Sequence, residues 1–335
     1  MKHASYASIV IAGVLLSSAT TQTPNPSIDA TALMAQAARS VDLRAEGGTS
    51  FRLQASFWVQ EPGSSKLEGR YELAWRSPVA WREEITYPGH HQALGKDESG
   101  SWILTGGPYR ALRHFDLTKA LDVAAFARAH AGSRVVSVKT PKRKIPVVQV
   151  RLALSDRLSW SELSLDRESG RLVRIETGPP MSPGMRYKAI HEFSNFRPWH
   201  ELQFPELIKR FDGTRQVLEL RVESIVDLPT ESSALLARVE GAIGYPDCTP
   251  QEAAASVSCV SPRQGIVVDR GGSGAIGARA VVARDGRLHD IVVVEPLDFA
   301  TDGRFRDYLA NWRCVPLTCG GVPVDAEVFE YMTLY

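Results

Sequence analysis

A period-two alternation of side chains constrains this chain more than any other feature. Phe51, Leu53, Ala55, Phe57 and Val59 alternate with Arg52, Gln54 and Ser56. Successive side chains of an extended strand point to opposite faces, so this pattern predicts a strand with one buried face. The pattern recurs over 67–76, with Tyr71, Leu73 and Trp75 on one face, and over 79–87, with Val79, Trp81, Glu83, Ile85 and Tyr87. Short strands are expected at 92–96 and 101–105. A second series follows at 134–139, 147–154, 159–166, 171–177, 185–196, 206–211 and 215–226. Turn residues separate several of them, including Ser169-Gly170, Pro179-Pro180 and Asp212-Gly213. Trp58 breaks the alternation on the polar side of the first strand, so either another element covers it or it is exposed.

Helical spacing appears in two places within this block. Over 28–40, Ile28, Ala32, Met34, Ala35 and Ala38 recur at three to four residues, with Ser27 as a candidate cap. Over 116–131, Leu117, Leu121, Ala124, Ala125 and Arg128 predict one helix stopped by Gly132. A large antiparallel meander with two helical interruptions tends to curl. The expected fold class is α+β: a curled antiparallel half-barrel with covering helices, followed by a small ββαβ domain.

The N-terminus reads as an export signal. Lys2 precedes an apolar run over 7–16 and the small residues Ser17-Ser18-Ala19. That run is too short to span roughly 30 Å of hydrocarbon as a helix, and cleavage after Ala19 is expected, with a membrane anchor as the alternative. The whole chain carries 39 basic and 38 acidic residues. Removing the signal removes Lys2 and leaves a formal charge of zero. Such balance provides no electrostatic footprint for bulk nucleic-acid binding.

Four cysteines, Cys248, Cys259, Cys314 and Cys319, lie in the last third of the chain. In an oxidising compartment an even number reads as two disulfides. Three connectivities are possible, and pairing by proximity gives Cys248–Cys259 and Cys314–Cys319. The spacing lacks the paired C-x2-C knuckles of structural zinc sites, so no metal and no cofactor is expected.

The string Arg186-Tyr187, His191-Glu192-Phe193-Ser194-Asn195-Phe196 and Phe204-Pro205-Glu206-Leu207-Ile208 resembles the late strands of the LolA/LolB-like outer-membrane lipoprotein-sorting proteins. The N-terminal helix, the early strands and Gly100-Ser101-Trp102 fit the same resemblance, which covers roughly 28–237. It implies an incomplete barrel closed by helices, with an apolar cavity for acyl chains and no catalytic residues. Phe51, Phe57, Tyr71, Trp75, Trp81 and Trp102 are the candidate ligand-binding aromatics of that cavity, since large rings line apolar pockets well. The blander reading is that they fill a core.

A proline- and cysteine-bearing segment over 238–264 reads as a disulfide-pinned linker. Beyond it, a strand over 275–283, the hairpin turn Asp285-Gly286, a strand over 288–294, a helix over 301–311 and a strand over 322–331 give the order strand, strand, helix, strand. The residues 277–282, Asp285-Gly286, Trp312-Arg313, Pro316 and Gly321-Val322-Pro323-Val324 resemble the TonB C-terminal domain, over about 265–335. That resemblance implies capture of an extended partner segment by strand addition to an open sheet edge, here Val324, Asp325, Ala326, Glu327, Val328 and Phe329. Cys314 stands where that family has an aromatic, Cys319 precedes the Gly, and no transmembrane anchor or long Pro- and Lys-rich spacer is present. Only a binding role carries over.

Other motifs weigh less. Gly272-Ser273-Gly274-Ala275-Ile276-Gly277 fits G-x-G-x-x-G, yet a strand follows where a dinucleotide fingerprint needs a helix. Lys139, Lys142, Arg143 and Lys144 read as a solvated hairpin tip, and adjacent His90 and His91 point to opposite faces of a strand. The expectation is therefore a signal peptide (1–19), a flexible leader (20–27), the half-barrel (28–237), the linker (238–264) and the TonB-like domain (265–335). The protein is expected to be periplasmic and non-enzymatic, with a lipid or amphiphile in the half-barrel and an envelope protein on the sheet edge. The alternative is a pure protein–protein scaffold with no ligand.

Overall fold

The computed structural model describes residues 29–45, 47–60, 65–129, 133–141, 146–153, 160–178, 187–249, 252, 257–260, 274–296 and 299–334. The expected signal peptide and leader, the candidate cap Ser27, the basic tip at 142–144, the Pro179-Pro180 turn and Gly272-Ser273 lie outside the described residues.

The alternating segments form one antiparallel sheet of 13 strands. In spatial order these are β13 (Ile243–Gly244), β5 (Gly100–Leu104), β4 (His90–Asp97), β3 (Ala80–Tyr87), β2 (Leu67–Ser77), β1 (Phe51–Val59), β12 (Arg215–Asp227), β11 (Leu202–Asp212), β10 (Ala189–Trp199), β9 (Leu172–Gly178), β8 (Trp160–Asp166), β7 (Val147–Ala153) and β6 (Arg134–Lys139), numbered along the chain. Two meanders meet where β1 pairs with β12. The outermost strands, β13 and β6, do not pair with each other, so the sheet is open.

One face of the sheet is apolar, as the alternation requires. Cross-strand rows such as Phe57, Leu220, Ile208 and Phe193 run along it. Helices cover this face. In α1 (Ala30–Val41), Ala30, Met34, Ala37, Ala38 and Val41 are buried at helical spacing. Its cap is Asp29, whose carboxylate accepts from the Thr31 and Ala32 amides at 3.0 Å. The single helix expected over 116–131 is two, α2 (Leu112–Leu121) and α3 (Val123–Ala129). They break at Asp122, whose side chain accepts from the Ala125 amide at 3.0 Å and so starts a second helix. The other face is polar, with ladders such as Arg52–Glu72 at 2.8 Å. Trp58 lies on that face, half-buried, under the Lys66 ammonium at 3.9 Å from its ring centroid.

C-terminal residues form a second, smaller sheet. β15 (Gly274–Val282) is flanked by β16 (Leu288–Glu295) and β20 (Ala326–Leu334), and α5 (Phe299–Ala310) packs Phe305 and Leu309 onto one face of this small sheet. The β15–β16 turn uses Gly286 at φ +78°, and a Cβ there would meet the Cys314 carbonyl at 2.4 Å. The final strand expected over 322–331 is two strands. β18 (Leu317–Cys319) pairs with β19 (Val322–Val324), and β20 begins only after Asp325. A short α4 (Ser233–Leu236) and the pair β14 (Ser258–Val260) with β17 (Arg313–Val315) complete the described elements.

The disulfides overturn proximity pairing. They join Cys259 to Cys314 and Cys248 to Cys319, 55 and 71 residues apart. Strand pairing decides the first, because Cys259 sits directly opposite Cys314 in the β14–β17 ladder. The 238–264 segment is therefore pinned to the end of the chain rather than to itself. Loops of this length give an entropic stabilisation of about 4 kcal/mol in the chain-entropy treatment. Replacing Cys259 and Cys314 together by Ser should cost about 2–4 kcal/mol in urea unfolding followed by tryptophan fluorescence; a change below about 0.5 kcal/mol would show that the bridge constrains little.

Candidate binding cleft and the contact between the two sheets

The six candidate aromatics are held by packing. Phe51, Phe57, Tyr71 and Trp75 belong to the main apolar core, and Trp81 packs against it half-buried. Their neighbours across the interior are Met34 and Ala37 of α1 and Leu117, Ala120 and Leu121 of α2. The pocket beside Phe51 has only about 10 Å³. Tyr71 spends its hydroxyl on Glu83 at 2.8 Å. Trp102 is buried on the opposite face, where the absent side chain of Gly95 makes room for its ring.

A larger space opens elsewhere. β9 and β10 pair only from Ala189 to Glu192. Beyond Glu192 the strands part, and Asn195 takes a left-handed φ of 54° in the separated half. The cleft there has a volume of about 660 Å³, within the roughly 300–1,000 Å³ of small-molecule sites. Val147, Val173, Phe193 and Phe196 line its apolar part, with Arg171, Arg174 and Lys209 among the polar residues. The lining carboxylates are engaged locally. Glu192 pairs with Arg174, and Asp166 accepts from the Ser169 amide and hydroxyl at 2.8 and 2.7 Å. The Arg171 Nε donates to Ser169 at 2.8 Å, and its guanidinium lies 4.9 Å from the Phe196 ring centroid. None of the six expected aromatics lines this cleft. No strand pattern marks it either, because it arises from where two strands stop pairing.

The six expected edge residues split by environment. Val324 belongs to β19, Asp325 to the break, and Ala326, Glu327, Val328 and Phe329 to β20. Among the described residues β20 pairs only with β15, so its other edge is open. Alternate side chains of this stretch are nonetheless used inside the molecule. Phe329 stacks on Tyr187, with centroids 5.4 Å apart. The Asp325 carboxylate accepts from the Arg110 amide at 2.9 Å and from the Arg284 amide at 3.1 Å. Glu327 pairs with Lys119 and accepts from the Arg279 Nε at 2.8 Å.

These contacts belong to a larger one centred on α2. Ala111 offers this helix no capping side chain. Its first amide, Leu112, donates to Asp290 of β16 at 2.9 Å instead, and the Arg110 amide, just before the cap, donates to Asp325. One turn on, Asp116 is buried between Arg210 of β11 and Arg279 of β15. Arg210 also donates to Asp212 at 3.0 Å, which accepts the Tyr187 hydroxyl at 3.0 Å. Toward the large sheet, His114 bonds Gln92 and Thr118 donates to Glu83 at 2.8 Å. Among the described residues no three His, Cys, Asp or Glu side chains gather as a metal site, and no helix is long and apolar enough to cross a membrane.

No family model matches the sequence, and no curated protein does. Three solved structures align at low scores. A LolA superfamily protein from Nitrosomonas europaea aligns at 15% identity and TM-score 0.40, over 62% of this chain and 97% of its own. A putative outer membrane lipoprotein-sorting protein domain from Vibrio parahaemolyticus aligns at 10% and 0.38, over 61% and 97%. MucB aligns at 15% and 0.30, over 86% and 98%.

The buried groups set the electrostatics. Burial alone would raise the pKa of Asp116, but Arg210 and Arg279 overcome it and hold the carboxyl well below its usual range. Burial likewise opposes the ionised Glu327, and Arg279 and Lys119 bring it down to about 2. His191 is lowered to about 3, by burial first and then by Arg210. His114 is lowered to about 2, by burial and then by His90, Arg110 and Arg113. All four folded-state values lie below the unfolded ones, so the unfolded chain binds more protons and stability falls with falling pH. The histidines act first, from an unfolded value near 6.5, and the carboxylates follow below about 4.5. Stability should therefore drop between pH 7 and pH 5 in chemical denaturation. His114→Gln should lose less over that interval than the parent, and an equal loss in both would show that His114 does not bury a neutral ring.

Proposed function

We propose that this chain is an exported, non-enzymatic binding protein of the cell envelope, periplasmic in a cell with two membranes. It receives an amphiphile in the cleft between β9 and β10, and it captures a partner chain on the open edge of the small sheet. The observation that carries this reading is the cleft of about 660 Å³, which combines Val173, Phe193 and Phe196 with the cationic Arg171 and Lys209. An apolar wall bordered by a few fixed charges suits a ligand with a tail and a polar head. The packed aromatic interior supports placing the ligand here rather than among Phe51, Phe57, Tyr71, Trp75, Trp81 and Trp102. The same packing favours one alternative, a scaffold that binds only proteins. The open β20 edge fits strand addition, in which backbone hydrogen bonds supply affinity.

Native mass spectrometry of protein isolated from periplasm should show bound amphiphile. A fluorescent fatty-acid probe should bind the emptied protein, and Val173→Trp, which fills the cleft from a half-buried position, should weaken the probe at least tenfold with little change in Tm. Absence of both bound amphiphile and probe binding would leave the scaffold reading. For the edge, a proline within 326–329 at a position whose amide faces away from β15 should abolish capture of envelope partners. Unchanged capture would rule out strand addition to β20.

A further inference from the structure

The contact between the two sheets is built in a way that lets it open. The charges gathered around Asp116 divide into two groups, each already neutral. On the small sheet Arg279 pairs with Glu327 at 2.8 Å. On the large sheet and α2, Arg210 and Lys119 are balanced by Asp116 and Asp212. Separation would break Asp116–Arg279 and Glu327–Lys119, yet each buried guanidinium would keep a carboxylate. One-sided removal of a buried partner is what usually makes such a contact hard to part. The apolar share is modest, with Leu112, Tyr187, Val281, Val292 and Val294 as its buried residues.

A second attachment lies away from this contact. β13 pairs with β5, the Tyr245 amide donates to the Ser101 carbonyl at 2.8 Å, and Asp247 pairs with Lys96 at 2.5 Å. The next residue, Cys248, is disulfide-bonded to Cys319 beside the small sheet. The chain is thus strapped to the rim of the large sheet and covalently to the C-terminal residues within a few positions.

We propose that the small sheet is a hinged flap, with its pivot in the 243–248 strap and its latch in the Asp116–Arg279 contact. Unlatching moves the sheet as a unit and frees the face that carries Arg279, Glu327 and Phe329, which the closed position covers with α2 and β10. The latch is charged and the pivot covalent, so opening is reversible and loses neither sheet.

Two backbone amides report the latch directly. Arg110 and Leu112 of the large unit donate to Asp325, just before β20, and to Asp290 of β16. Hydrogen exchange of the full mature chain with its disulfides intact, resolved to these amides, separates flap opening from unfolding. In Arg279→Gln they should exchange at least tenfold faster, while β1–β12 and β15–β20 amides keep their protection. Lys119→Gln, at a side chain 57% exposed, should give a smaller increase over the parent, about threefold at 0.1 M NaCl, that shrinks toward 1 M NaCl as salt screens the parent's ion pair. If Arg279→Gln also strips protection from β15–β20, the Lys119→Gln result decides. Exchange of Arg110 and Leu112 that tracks the β1 amides in the parent and in Lys119→Gln at both salt concentrations would overturn the flap and make the small sheet a fixed part of the core.

Discussion

Asp116 is a buried carboxylate held between two guanidiniums, and much of the tertiary arrangement follows from satisfying it. An ionised carboxylate taken out of water costs several kcal/mol unless it is paired and hydrogen-bonded. Here Arg210 arrives from β11 and Arg279 from β15, so one side chain fixes α2 against strands of both sheets. The arginines are constrained in turn. Arg210 needs Asp212 as well as Asp116, and Arg279 needs Glu327. His191 lies opposite Arg210 in the β10–β11 ladder and stays neutral beside it. Removing Asp116, Arg210 or Arg279 takes one of two partners from each charge beside it.

The same dependence explains α2 itself. Its sequence, Leu-Arg-His-Phe-Asp-Leu-Thr-Lys-Ala-Leu, has no Ser, Thr, Asn or Asp at the cap position, and helices of ten residues are marginal alone. Asp290 supplies from a distance what a local cap would supply, Asp325 holds the residue before the cap, and Leu117 and Leu121 supply the apolar face. Helix formation and docking of the small sheet therefore support each other. Much of the stability of this segment is tertiary.

That is also why the segment was poorly legible in sequence. Periodicity marks the turns around Leu117 and Leu121, so a helix was expected, but it begins four residues earlier because its cap is distant in the chain. The strands read well because alternation is a local consequence of burying one face, and the Asp285-Gly286 hairpin reads well because turn chemistry is local too. The disulfides did not, since the β14–β17 ladder that aligns Cys259 with Cys314 joins segments about fifty residues apart. The aromatic-rich strands pointed correctly to a large apolar interior. Whether such an interior is hollow depends on how far α1 and α2 reach into it, and alternation is the same in either case.

The cleft and the latch meet on one ribbon. In the β10–β11 ladder Glu192 faces Lys209 and His191 faces Arg210. Glu192 and Lys209 line the cleft, and Arg210 pairs with Asp116. β10 is held by β11 along its whole length but by β9 over only four residues. A ligand that wedges β9 and β10 further apart would thus act on the weakly paired side of β10, while the strongly paired side carries Arg210. Substitutions at Glu192 or Lys209 consequently bear on both features. Val173 lies on β9, across the gap from that ribbon, and so perturbs the cleft with the least effect on the buried charges.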